Sequence, residues 1–256
     1  MISDKAVIDK SAKIAANVEI SPFAIIGADV EIGEGTWIGP HSVVNGPTKI
    51  GRNNKIFQFA SIGEAPQDKK YDGEPTRLEI GDNNVFRECT TVSRGTKSGG
   101  GLTKIGNDNL FMAYVHIAHD CMVGNNTTFS NNASLAGHVT VDDYANLSGF
   151  VGVHQFCNIG SHAFCAGGSI IVKDVLPFIT VSGHPAQTYG LNVEGLKRRN
   201  FTPDEITVLK RAYKTLYRQG LTLEEAVHKI EAMIPECRHI QTIIDFIKNS
   251  ERGIVR

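Results

Sequence analysis

The sequence lacks any apolar run long enough to span a bilayer, and its first residues, MISDKAVIDKSAKI, lack the apolar core of a secretion signal. It also lacks an excess of either charge. Lys plus Arg number 26 and Asp plus Glu 27, which argues against the wholesale basic surface of a nucleic-acid or anionic-membrane binder. Cysteines at metal or redox spacing are missing too: the five are odd in number and none forms a CxxC pair. These absences predict a reduced, cytoplasmic protein with no membrane span and no nucleic-acid partner. The 256 residues suffice for a large core and one or two domains.

What is present is a beat of six. From Ile105 to Ile171 every sixth residue is apolar or Cys, through Phe111, Ile117, Val123 and onward. The same beat opens the chain at Ile8, Ile14, Ile20 and Ile26. Six is neither the helical period nor plain strand alternation, so it marks a repeat. The position four after each anchor is usually small or β-branched, as at Ala24, Ser42, Val115 and Ala133. The position one after it is often Gly, which is expected to supply turn angles that other residues resist. Cys121, Cys157 and Cys165 sit at core-type positions and read as small buried hydrophobes. Over residues 1–187 the pattern resembles the hexapeptide repeat of the left-handed parallel β-helix. In that fold three hexads make one triangular coil, and coils stack at about 4.8 Å.

The beat fails twice. A polar insert, GEAPQDKKYDGEPTRLE, fills 63–79, and a second, SRGTKSGGGLTK, fills 93–104. Inserts on repeat proteins commonly line the binding face. The Gly99–Gly101 run matches no phosphate-loop motif and reads as a flexible turn, and Lys69–Lys70 as solvated loop charge. Beyond Pro177 the beat ends, and 188–256 is expected to be a helical domain. Thr202-Pro203-Asp204-Glu205 and Thr222 with Glu225 predict two capped helices, and Ile240, Ile243, Ile244 and Ile247 a third.

An 18-residue coil turns sequence into columns. His119, Gly137 and Gln155 stack in one, Asp120, His138 and Phe156 in the next, and Asn131, Gly149 and Gly167 in another; polar groups and glycines concentrated on two columns of an otherwise regular prism suggest a surface groove. A His beside a carboxylate makes a general base near neutral pH. Strand geometry would splay His119 and Asp120 to opposite faces, so their contact requires a turn there. Gly137, one coil above, offers a bare backbone N–H to a developing oxyanion. Three readings stay open on these residues alone: acyl transfer by His119, a zinc site from His116, His119, His138 and His154, and a non-catalytic scaffold. His41 and His162 read as surface polar residues.

The segments GEAPQDKKYDGEPTRLEIG, RGTKSGGGLTKIG, HIAHDC, AGHV, VHQFCNIG and NVEGLKRR, in this order, are similar to the cytoplasmic UDP-N-acetylglucosamine O-acyltransferases that begin lipid A synthesis. The resemblance covers essentially the whole chain. It implies a homotrimer that transfers a (3R)-hydroxyacyl group from acyl carrier protein to the sugar 3-hydroxyl, without a metal or a cofactor beyond the carrier's phosphopantetheine. By resemblance His119 is the base, Asp120 its orienting partner and Gly137 the oxyanion donor. Asp68 and Lys70 are substrate contacts reached across a subunit boundary, and His116, His138, His154 and Gln155 line the site. Asn192, Glu194, Arg198 and Arg199 lie near the nucleotide and phosphates, where Arg suits bidentate recognition. Gly167 matches the acyl-chain ruler, and Gly there implies a long chain of about fourteen carbons. The family often has His where this chain has Pro185, with His184 one position earlier. Lys210, Lys214 and Arg218 share a helix face at i, i+4, i+8, which would steer an acidic carrier protein.

Overall fold

The computed structural model describes residues 1–256. Short strands, about one per hexad, fall into three sheets of nine, eight and ten strands, parallel except for the last strand of the third. His116 pairs with Ser134, Ser134 with Gly152 and Gly152 with Ile170, so partners are three hexads apart. The chain is a left-handed parallel β-helix, a three-sided prism. Each two-residue strand sends one side chain out and its anchor in. Ile117, Leu135, Val153 and Ile171 are buried anchors of one face. Inside, Phe86, Phe111 and Phe129 stack with centroids 4.8 and 5.0 Å apart. All five cysteines are free thiols, and Cys121, Cys157 and Cys165 are buried.

The turn residue is not the one expected. Left-handed backbone falls three residues after the anchor, at Asp29, Asp108, Asp120, Asn126, His138 and His162, with φ between 55° and 63°. Asn, Asp and His tolerate this region best among residues with a side chain. The glycines right after the anchors serve close approach instead. A Cβ at Gly33 would stand 2.6 Å from the Gly51 backbone, and one at Gly106 2.5 Å from the Gly124 carbonyl oxygen. Where the position four after the anchor is Asn, the buried amide is satisfied along the prism axis. Asn84 Nδ2 donates to Asn54 Oδ1 (3.0 Å) and the Gly106 carbonyl (2.9 Å), while its Oδ1 accepts the Asn109 N–H (3.0 Å).

The three outer faces differ. One presents alternating charges at stacked positions, Lys13, Glu31, Lys49, Glu79 and Lys104. On the face holding His116, the outward row from Val7, Ile25 and Val43 to Gly152 and Ile170 carries no Lys, Arg, Asp or Glu; Glu64, paired with Ser93 past a register shift, lies beside it. Strands Ser61–Glu64, Arg77–Ile80 and Leu102–Ile105 reach into the inserts, so both are shorter than their sequence breaks. The Gly99–Gly101 stretch is not slack. Lys97–Gly99 form a 3-10 turn headed by Thr96, with Gly100 left-handed behind it. Arg94 ties the inserts together, donating to the carbonyls of Gly46 (2.9 Å) and Gly63 (2.6 Å) and to the Tyr71 hydroxyl (3.2 Å).

The boundary expected at 187 lies inside a strand. Ala186–Leu191 pairs antiparallel with Ile179–Gly183 and ends the ten-stranded sheet, so helices begin only after Leu191. They are α1 (Val193–Arg198), α2 (Pro203–Arg218), α3 (Leu223–Glu231) and α4 (His239–Lys248). Both capping boxes form as read. The short α1 carries no periodic signal and went unread. The helices pack on the last coils, where Phe178 meets Phe201 and His239, and Asp174 accepts the Ser250 hydroxyl (2.7 Å). No helix is long and apolar enough to cross a membrane.

Candidate active site

His119 and Asp120 follow the strand His116–Ile117 and form the prism edge that leads to Met122–Val123. The turn that their contact requires is there: Asp120 has φ 60°. It brings Asp120 Oδ2 to 2.8 Å from His119 Nδ1. An ionised carboxylate only accepts, so Nδ1 bears the hydrogen and Nε2 keeps its lone pair. Asp120 is 5% exposed and further held by the second insert. Thr96 donates its N–H to Oδ1 (2.8 Å) and its hydroxyl to Oδ2 (2.6 Å). The Asp120 N–H donates to Thr103 Oγ1 (2.8 Å).

One coil above, Gly137 leaves room for the imidazole. An added Cβ would lie 2.7 Å from His119 Nε2. The Gly137 N–H has no acceptor in the chain. His138 stands edge-on to His119 with centroids 5.2 Å apart, stacks on Phe156 at 4.4 Å, and places Nε2 3.7 Å from Asp120 Oδ2. Burial holds the His138 pKa below its usual value, against the opposing pull of Asp120 and, more weakly, of Asp68. Asp68 thus lies near enough to His138 within one chain to oppose that shift. Lys70 is exposed on the same loop, its N–H donating to Asp68 Oδ1 (3.0 Å). Burial, then His119, lowers the pKa of His116, whose Nδ1 lies 2.8 Å from Thr91 Oγ1.

The ligand atoms of His119, Asp120 and His138 lie within 4.8 Å of one another. His116 and His154 stand outside that group, so the four histidines do not come together within one chain. His154 and Gln155 are exposed, with His154 Nδ1 3.1 Å from the Gln155 carbonyl. Between His116 and His154 runs an apolar groove of about 380 Å³ over Ala136, Gly152, Val153 and Ile170.

The remaining residues lie elsewhere. Asn192, Glu194, Arg198 and Arg199 line a cleft of about 610 Å³ with Tyr144 and His162, on the next edge of the prism. The Arg199 guanidinium sits 4.7 Å over the Tyr144 ring. Asn192 is committed to the fold: Oδ1 accepts the Gly195 N–H (3.1 Å) and Nδ2 donates to the His162 carbonyl (2.9 Å). Glu194 pairs with Lys197 at 2.9 Å. Gly167 is on the third edge, stacked on Gly149, which stacks on Asn131. The Gly167 column thus lies on a different edge from His119, with the apolar face between them. Thr96 and Gly99 are functional-site neighbours that sequence reasoning missed. Their register against Asp120 depends on insert length, which the six-residue beat does not carry.

Residues 174–255 match the family model described as UDP-N-acetylglucosamine O-acyltransferase, domain 2, and 29–64 and 102–137 match the bacterial transferase hexapeptide model. The acyl-(acyl-carrier-protein)–UDP-N-acetylglucosamine O-acyltransferase of Thiobacillus denitrificans is 54% identical over 100% of this chain and 99% of its own length. The structure of LpxA from Acinetobacter baumannii superposes with a TM-score of 0.98 at 48% identity, covering 100% of this chain and 99% of that one. The UDP-N-acetylglucosamine acyltransferase of Francisella novicida gives 0.98 at 47% identity, covering 100% and 94%. Full-length identity and full-length fold agree with the hexad edge described above, and the chain belongs to the UDP-N-acetylglucosamine O-acyltransferase family.

Proposed function

We propose that this enzyme transfers a (3R)-hydroxyacyl group from acyl carrier protein to the 3-hydroxyl of UDP-N-acetylglucosamine, the first step of lipid A synthesis, in the cytoplasm. The observation that carries this is the His119–Asp120 bond of 2.8 Å, which leaves Nε2 free beside Gly137. Nε2 takes the sugar hydroxyl proton as that oxygen attacks the thioester carbonyl. Asp120 offsets the charge on the resulting imidazolium. The Gly137 N–H donates to the oxyanion, a role worth about 3 kcal/mol in comparable sites. Collapse expels the phosphopantetheine thiolate, which receives the proton from the imidazolium. No metal or further cofactor enters this scheme.

The binding residues divide by edge. His116, His138, His154, Gln155, Asp68 and Lys70 surround the reacting sugar and acyl head. Asn192, Glu194, Arg198 and Arg199 hold the nucleotide, the two arginines on its phosphates. Because these sets occupy different edges of one prism, a complete site needs a second copy of the chain. We infer a homotrimer that supplies it, and the lack of charge on the His116 face suits packing against a neighbouring copy.

Thioester consumption with UDP-N-acetylglucosamine and a panel of hydroxyacyl carrier-protein donors tests the reading. Turnover is expected in the wild type and is expected to vanish in a folded His119→Gln variant. Full activity in that variant, or nucleotide binding without thioester loss in the wild type, overturns it.

A further inference from the structure

We infer that Thr96 of the second insert is a positioning residue that fixes how Asp120 holds His119. This rests on His119 being the base. Thr96 touches no reacting atom. It is 2% exposed and contacts both carboxylate oxygens, with its N–H on Oδ1 (2.8 Å) and its hydroxyl on Oδ2 (2.6 Å). The direction of the hydroxyl hydrogen is fixed by its surroundings. Oγ1 accepts the Gly99 N–H (3.2 Å) and lies 3.1 Å from Ser98 Oγ, which can itself donate; the Asp120 carboxylate can only accept and is closer at 2.6 Å, so the hydrogen lies on Oδ2. Oδ2 is also the oxygen that faces His119 Nδ1. One oxygen therefore shares its charge between the Thr96 hydroxyl and the imidazole.

Gly99 completes the cradle. A Cβ there would lie 2.1 Å from the Asp120 carboxyl carbon, so no larger residue lets the insert close on the carboxylate. The loop is held from outside as well. Glu74 of the first insert accepts the Lys97 N–H (3.2 Å), and Arg94 binds Tyr71. The loop carrying Asp68 and the turn that orients Asp120 are thus one connected unit.

A donor on a carboxylate stabilises its charge and weakens its pull on a neighbouring cation. Loss of the Thr96 hydroxyl leaves Asp120 pulling harder on protonated His119 and so favours the imidazolium. The other titratable groups near this pair are His138 from the coil above, His116 from the preceding strand, Asp68, Lys97 and Glu74 from the inserts, and buried Cys121; Thr96→Val alters none of them.

The test compares wild type, Thr96→Val and Thr96→Ser by NMR titration of His119, assigned against His119→Gln, and by the pH dependence of kcat. In Thr96→Val the NMR titration of His119 and the acid limb of kcat should both move to higher pH. Its kcat should fall roughly ten- to a hundredfold, within the ~10²–10⁴-fold that base catalysis supplies, with sugar KM unchanged. Thr96→Ser should keep the wild-type profile. An unmoved His119 titration in folded Thr96→Val overturns the inference, as does equal loss in the Val and Ser variants. A moved titration with unmoved kcat overturns His119 as the base, not the Thr96 linkage. If Thr96→Val does not fold, Thr96→Ala carries the same measurement, because it also deletes the hydroxyl and leaves the backbone N–H bond.

Discussion

The edge of the His119 ring fills the space where a side chain at Gly137 would begin, with Cε1 2.5 Å and Nε2 2.7 Å from the ideal Cβ position. Gly137 therefore does more than expose an N–H: it admits the base. Gly137→Ala must push the imidazole outward or shift the coil. A displacement near 1 Å costs about a hundredfold in rate. We expect kcat to fall by that order with the melting temperature nearly unchanged, as judged by circular dichroism and steady-state kinetics. Retention of wild-type kcat would show that the ring does not react from the observed position.

His162 stacks between Tyr144 and Phe178, with centroids 4.7 and 5.7 Å away. Burial first, then the charges of His239 and Arg199, push its pKa down to about 4, against Asp143. The unfolded imidazole takes its proton near 6.5, so between that pH and about 4 the unfolded chain binds more protons than the folded one. Stability is therefore lost as pH falls through this window, and the loss levels off below it. His162→Phe keeps the stack and deletes the titration. Its melting temperature should fall less between pH 7 and 4.5 than that of wild type; parallel curves would mean that His162 does not couple to folding.

The coil was legible because one buried anchor per strand recurs at fixed spacing, and the columns through His119, Gly137 and Gln155 follow by counting. The contact between His119 and Asp120 was less so. It depends on a left-handed residue three after the anchor, a position that Asn, Asp, His, Tyr and Phe all fill here, so no single residue type announces it. Thr96 was illegible for a different reason. It comes to Asp120 through a coil whose insert breaks the count, and only coordinates restore the register. Helix α1 was missed because six residues hold no period; its cap, Asn192, was noticed for another role.

The exposed face of α2 carries Lys210, Lys214 and Arg218, all free of carboxylate partners, whereas neighbouring Arg211 is tied to Glu236 by bonds of 2.9 and 2.7 Å. Free cations at a rim act chiefly on encounter rate and are screened by salt. Reversing the three to Glu should raise the KM for a carrier-protein donor roughly tenfold at low salt and flatten its salt dependence. A small pantetheine thioester, which lacks the acidic protein, should be used equally well by both enzymes. If the carrier-bound donor behaves like the small one, docking lies elsewhere.

Gly167 differs from the glycines that the coil needs. Its backbone is not left-handed, and an added Cβ would meet only the Gly149 carbonyl oxygen at 3.4 Å, an ordinary contact. Packing would thus accept a side chain, which makes Gly167→Met a test of substrate choice and not of folding. If the acyl tail passes this position from a neighbouring copy's site, Met removes the space for its last methylenes. Each methylene left unburied costs about 0.8 kcal/mol, roughly fourfold in kcat/KM. The variant should therefore lose its longest donors first and gain relative preference for chains a few carbons shorter, with kcat on the short donors unchanged. A donor profile identical to that of wild type would place the chain's end away from this edge, and the groove over Gly152 and Ile170 would then have to set the length on its own.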